Sequence, residues 1–270
     1  MDTYDIYELM IIPPNKKAEM ILSEIKKDKS NLNLVRDLIT LGANLDWQGN
    51  DGMTALHWCG WYNHLGIAKM LIEAGADVNI QGMFGSTALH MCANPEIARM
   101  LIDAGTDLNI QNESGNTALH WCARKNRPEI TRMLIDAGTN LNIQDQDGWT
   151  ALYLCAFENR PEIARMLVDA GADVNVQDNQ RWTALHLCAR LNRPEIARML
   201  VDAGADLNIQ TNSGKTLLHY CAHTNNLEIL RVLLDAGADK TIPSNDGRIP
   251  YEFIPYDLIA ISELQELLKV

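Results

Sequence analysis

A seven-residue phrase, Thr-Ala-Leu-His-x-Cys-Ala, returns along this chain with small variations, and its spacing constrains the fold more than any other feature. Its threonines are Thr54, Thr87, Thr117, Thr150, Thr183 and Thr216, so the steps are 33, 30, 33, 33 and 33 residues. A second phrase, Ala-Gly-x-x-x-Asn, follows with the same beat at Gly75, Gly105, Gly138, Gly171 and Gly204. A period of this size marks a supersecondary unit that cannot bury its apolar face alone and must stack on its neighbours. The expected fold is an all-α solenoid, one domain along its length, although 270 residues would otherwise suggest about two globular domains.

Within one period the order is turn, helix, turn, helix, loop, as residues 112–144 illustrate. Asn112-Glu113-Ser114-Gly115-Asn116 is turn chemistry. Thr117 caps a short helix over Ala118–Lys125 that faces Leu119, Cys122 and Ala123 inward, and Asn126 ends it in the left-handed region. Pro128 and Glu129 open a second helix, the proline with a preset φ and the glutamate at the positive helix end. Ile130, Met133, Leu134 and Ala137 form its apolar stripe, and Gly138 stops it.

With these residues in view the chain resembles the ankyrin repeat family. That family carries Asp-x-x-Gly-x-Thr-Pro-Leu-His and later Gly-Ala-Asp-Val-Asn with a 33-residue period. Here the counterparts are Asp51-Gly52-Met53-Thr54-Ala55-Leu56-His57 and Gly75-Ala76-Asp77-Val78-Asn79. Alanine, a strong helix former, stands where the family prefers proline, and cysteine, similar in character, where it prefers its first alanine. The resemblance implies stacked helix-turn-helix units with hairpin tips, repeats at 49–81, 82–111, 112–144, 145–177, 178–210 and 211–243, a capping helix pair over 15–48 and a capping repeat over 244–270. The cap helices are expected at Lys16–Lys27, Leu32–Leu41 and Leu258–Leu268. Residues 1–14 lie outside the repeat, and either pack over the first helix pair or hang free as a docking peptide.

Charge and composition exclude several classes. A formal charge of -12 opposes binding to nucleic acid, whose phosphates require clustered Lys and Arg, and to anionic membrane surfaces. No run of about 18 apolar residues could span a bilayer. The acidic start lacks a secretory signal. All six cysteines, Cys59, Cys92, Cys122, Cys155, Cys188 and Cys221, occupy one slot of the repeat. Equivalent positions on packed helices lie about 8–10 Å apart, beyond the ~7 Å limit for a disulfide. Six free thiols fit a reducing compartment, and a cytoplasmic protein is expected.

No catalytic constellation emerges, and neither cofactor nor metal is expected. His57, His90, His120, His186 and His219 precede their cysteines by two residues, a spacing at which helical side chains do not face one another. Tyr153 replaces the histidine in one repeat. The resemblance gives this histidine a bracing role, hydrogen-bonded to the threonine. Asp145-Gln146-Asp147-Gly148 fails as a calcium loop because Ile143 holds the first ligand position. Glu129, Arg132 and Asp136, with their counterparts at 162–169 and 195–202, read as a solvated outer face.

Where units are nearly identical, the deviations carry the information. Trp61 and Tyr62 end the first helix of one repeat, and Met83 and Phe84 occupy the tip of the next. In that 30-residue unit Ala93 runs straight into Asn94-Pro95, so nearly one helical turn is missing. The loss predicts a notch between Trp61 and Tyr62 on one side and Arg124 and Lys125 on the other. A second cluster holds Trp149 and Trp182 at matching turn positions, with Phe157, Arg190 and Leu191 nearby and Arg181 in place of the turn glycine. If that turn needs φ > 0, the arginine costs roughly 1 kcal/mol. Two of the three Phe and three of the six Trp thus fall in slots expected to be exposed. Aromatic residues and Arg dominate interface energetics, so these side chains either anchor a partner or finish the packing between repeats. Trp58 and Trp121, one place after the histidine, are expected to be packing residues.

The function expected is a non-enzymatic module that binds another protein through its concave face and turn tips. It would act as inhibitor or adaptor by steric contact, and be monomeric when free. The rival is a protein that sequesters a small ligand in the notch, which would require a closed site with convergent polar groups.

Overall fold

The computed structural model describes residues 6–27, 29–255 and 261–269, and among them every regular element is helical. The chain divides into two compact units: residues 1–121 with 132–139, and residues 122–131 with 140–270.

The first unit opens with α1 (Ile6–Met10), α2 (Pro14–Ile25) and α3 (Leu32–Thr40). Leu9 of α1 is buried at 2% exposure, while Ile6, Tyr7, Met10 and Ile11 are exposed. Helix α2 starts at Pro14, earlier than expected, because a proline at the first helical position needs no N–H partner. Next come α4 (Ala55–Tyr62), α5 (Leu65–Glu73), α6 (Ala88–Met91) and α7 (Pro95–Asp103). Helices α2, α4 and α6 pack side by side as an inner row, and α3, α5 and α7 as an outer one. The chain passes to the second unit within α8 (Ala118–Lys125) and α9 (Pro128–Asp136), which match the helices expected there.

In the second unit α10 (Ala151–Glu158), α12 (Ala184–Leu191) and α14 (Leu217–Thr224) form the inner row, which ends on a 3₁₀ turn at Pro250–Phe253. The outer row is α11 (Pro161–Asp169), α13 (Pro194–Asp202) and α15 (Leu227–Asp235). A last helix, α16 (Ile261–Leu268), packs on the 3₁₀ turn; the expected start at Leu258 lies outside the described residues.

The eight-residue helices α4, α8, α10, α12 and α14 are short because each is fixed at both ends. At its start is a five-residue tip closed by one hydrogen bond, for example Asp145 N–H to Trp149 O at 2.9 Å and Asp178 N–H to Trp182 O at 2.8 Å. At its end Asn63, Asn126, Asn159, Asn192 and Asn225 take φ between 54° and 63°, the left-handed conformation asparagine tolerates. In α10, α12 and α14 the core is a ladder of one leucine, one cysteine and one alanine per inner helix against Ile and Leu of the outer helix, such as Leu185, Cys188 and Ala189 against Ile196 and Leu200. Side chains knit successive tips: Gln144 Nε2 donates to Gly148 O at 2.8 Å and to Gln177 O at 2.9 Å.

Candidate binding surfaces

The histidines are structural. His57 Nδ1 lies 2.8 Å from Thr54 Oγ1 and accepts from Thr54 N–H at 3.2 Å, while Nε2 reaches Ser86 O at 3.0 Å. A carbonyl can only accept and an amide N–H can only donate, so the ring is the neutral Nε2–H tautomer. His90 and His219 repeat the arrangement with Asn116 O and Arg248 O. Burial lowers all four of His57, His90, His186 and His219, with His90 and His186 falling to about 4. Tyr153 keeps the bracing role with a longer reach, its hydroxyl donating to Asp178 Oδ2 at 2.7 Å. The six cysteines are buried and unbridged, and burial pushes the thiols of Cys59, Cys155, Cys188 and Cys221 far above their ordinary value. Such thiols are poor nucleophiles. Among the described residues no cluster of His, Cys, Asp and Glu is placed to hold a metal ion, and no helix is long and apolar enough to cross a membrane.

In the first unit, Trp61 is 60% exposed at the end of α4. Tyr62 is also exposed and stacks on Trp58, with centroids 5.6 Å apart, and the Lys26 ammonium lies 4.7 Å over the Trp58 ring. Trp58 is thus a half-buried packing residue, as its slot suggests. Trp121 is half-buried too. Met83 and Phe84 project from the tip that precedes α6, Phe84 at 67% exposure.

That tip, like the one at Gly49–Met53, has no side chain at its first position to cap it. Asn112, Asp145 and Asp178 each accept two backbone N–H groups of their own tip through Oδ1, whereas Gly82 holds the matching place and has no side chain to do so. A Cβ on Gly82 would lie 2.8 Å from Met53 Sδ and 3.0 Å from His57 Nε2, so close packing beneath the tip demands glycine. Phe84 itself takes φ 55°, a conformation that costs a bulky residue about 1–2 kcal/mol.

The shortened repeat is as the sequence foretells: α6 has four residues where α4 has eight. The polar groups beside the gap are already engaged. Asn94 Oδ1 accepts from Glu96 N–H at 2.7 Å and Ile97 N–H at 3.3 Å, and its amide is held by Asn63 Oδ1. Arg124, half-buried, and Lys125, exposed, belong to the second unit. An open cleft of about 450 Å³ lies elsewhere, between outer helices at Arg198, Leu227, Glu228 and Arg231, and there Arg198 pairs with Glu228 at 2.7 Å.

The second cluster corrects one expectation. Trp149 and Trp182 are half-buried, not exposed. Each lies four and eight residues before ring or cation neighbours on one helix face. Trp149 stacks on Tyr153 at 5.2 Å and touches Phe157 at 5.4 Å. Trp182 meets His186 at 5.8 Å, the Arg190 guanidinium at 5.4 Å, and Tyr220 of the next inner helix at 4.4 Å. Phe157, Arg181 and Arg190 remain exposed and Leu191 is half-buried. Arg181 does take φ 61° in a slot held by glycine in the other tips, and its Nε donates to Gln177 Oε1 at 3.2 Å. The sequence reading passed over Tyr220, Lys215 and Phe253, which continue the same face: Lys215 Nζ lies 4.7 Å over Phe253 and 6.0 Å over Tyr220. Lys215 is in the slot of Trp149 and Trp182, a periodic signal that would have found it.

A family model described as ankyrin repeats in three copies matches residues 15–82, 88–178 and 173–244. The crystal structure of the ankyrin repeat domain of Bcl-3, described as a unique member of the IkappaB protein family, is similar with a TM-score of 0.71 and 27% identity over 82% of this chain and 99% of that one. No curated protein matches the chain.

Proposed function

The chain belongs to the ankyrin repeat family, whose repeats generally mediate contacts between proteins, and on that footing we propose that it binds one partner protein and acts as inhibitor or adaptor by steric contact. The observation that carries this reading is Phe84. A bulky aromatic is held in a strained backbone conformation, 67% exposed, on a tip that opens on glycine. Folding gains nothing from that arrangement, while a partner gains a rigid apolar anchor. Trp61, Tyr62 and Met83 add exposed apolar surface in the same unit, and Phe157 in the other. The six-repeat division of residues 49–243 between two capping ends, a chain monomeric when free, and a reducing compartment complete the proposal. The last is supported by six unbridged, buried thiols.

The test is an affinity pull-down from the native host with wild type beside a Trp61→Ala/Tyr62→Ala/Phe84→Ala/Phe157→Ala variant, both checked for helical content by circular dichroism. A protein retained by wild type and lost by the folded variant supports the proposal. A partner kept equally by both assigns these rings to packing and overturns it.

A further inference from the structure

The inner face of the second unit differs in chemistry from the acidic chain that carries it. Along its row of tips the residue before the capping threonine changes from Trp149 and Trp182 to Lys215, with Arg248 at the equivalent place in the last tip. The cations lie on rings: Arg190 over Trp182 at 5.4 Å, Lys215 over Phe253 at 4.7 Å, and Arg248 over Phe253 at 4.4 Å. Arg248 is paired with Asp246 of its own tip, whereas Arg181, Arg190 and Lys215 form no ion pair with another described residue. The carboxylates of the same face are used internally. Asp145 accepts from Asp147 and Trp149 N–H, and Asp178 from Gln180 and Trp182 N–H and from the Tyr153 hydroxyl. Three cations are therefore left without counter-charge beside half-exposed aromatic surface, in a chain of net charge -12.

Resting on the protein-binding reading, we infer that this face docks an acidic protein segment that also carries an apolar side chain. Carboxylates of the segment meet Arg181, Arg190 and Lys215, and its apolar side chain lies on Phe157 and the Trp149 edge. Rings hold the Arg190 and Lys215 head groups in place before binding, which reduces the ordering cost of each new ion pair. Arg181 supplies the independent argument. Glycines at the matching slots of other tips, Gly148 at φ 83° and Gly214 at φ 75°, show what the backbone favours there. An arginine that strains its own tip and finds only a neutral Gln177 partner is explained by a contact outside the chain. A short acidic segment with an apolar side chain fits better than a nucleic acid, whose regularly spaced phosphates would run beyond these three cations onto the acidic remainder of the chain.

The experiment pans a phage-displayed random dodecapeptide library on the full-length chain, then measures the enriched peptides against three variants. Peptides rich in Asp and Glu with Leu, Phe or Trp are expected, binding roughly tenfold or more weakly to Arg190→Glu/Lys215→Glu. Arg181→Gly is expected to raise the urea midpoint and yet weaken the same peptides, a combination that a purely structural arginine cannot give. Acidic peptides that bind Arg190→Glu/Lys215→Glu and Arg181→Gly as well as wild type overturn the inference. So do enrichment of basic peptides, enrichment of nothing, or tighter binding of an oligothymidylate. Peptides lost only with Trp61→Ala/Phe84→Ala overturn it while leaving the proposed function intact.

Discussion

At the residue scale the histidines set the pH response. Each buried ring must stay neutral to accept the threonine N–H, and protonation would aim N–H at N–H. The folded state holds His90 and His186 at about 4, against an ordinary 6.5. Stability from this source is therefore complete above about pH 6.5, declines as the unfolded chain takes up protons below it, and is fully lost near pH 4. The loss is on the order of 3 kcal/mol for each of these two rings. Urea midpoints should be flat from pH 8 to about 6.5 and fall steeply below, with the ring resonances of His90 and His186 still neutral at pH 5 by NMR. Rings that titrate near their ordinary value would contradict the bracing geometry. The cysteines offer a second check at this scale. In native protein all six should resist Ellman's reagent, and in guanidinium all six should react at once. Phe84→Gly should raise stability by about 1 kcal/mol, since glycine adopts φ 55° without strain. Of these roles, histidine and cysteine were legible from the repeat, because identical slots meet identical surroundings. The half-burial of Trp149 and Trp182 was not. It depends on which way a ring swings from the tip, and the i, i+4, i+8 series Trp149–Tyr153–Phe157 decides that only once the helix start is fixed.

At the element scale the short α6 is matched by a residue the sequence reading left unremarked. Gly60 occupies the α4 slot that Ala123, Ala156, Ala189 and Ala222 fill in other inner helices. A Cβ on Gly60 would lie 3.0 Å from Ala88 O and 3.6 Å from Cys92 Cα, so α4 and α6 approach closely where the other rows carry a methyl group. The missing turn and the glycine are two parts of one adjustment. Their partnership spans separate repeats, and a single sequence holds no record of such contacts. Gly60→Ala, normally a helix-stabilising change of about 1 kcal/mol, should here destabilise by roughly 1–2 kcal/mol because the carbonyl in its way is backbone. Chemical denaturation settles the sign. A more stable variant would show that α6 yields freely.

At the scale of the whole molecule, the period alone carried the all-helical repeat fold. It did so because every copy but the 30-residue one states the same local chemistry: a tip, a cap, a short helix, a left-handed asparagine and a second helix. Function lies where copies differ, and there sequence gives candidates without geometry. The structure separates them into an exposed apolar set in the first unit and a cation-bearing aromatic face in the second. Outer-face pairs such as Arg198–Glu228 are solvated on both sides and add little.

The central claim is that a partner protein covers the tips and inner helices and leaves the outer helices free. Photo-crosslinking tests it most directly, with benzoylphenylalanine placed singly at Phe84, at Phe157 and, as the outer-face control, at Arg198, each in the native host. The account predicts one protein adduct of the same mass from positions 84 and 157 and none from 198. Adducts from 198 alone, or no adduct from either inner position, would contradict it.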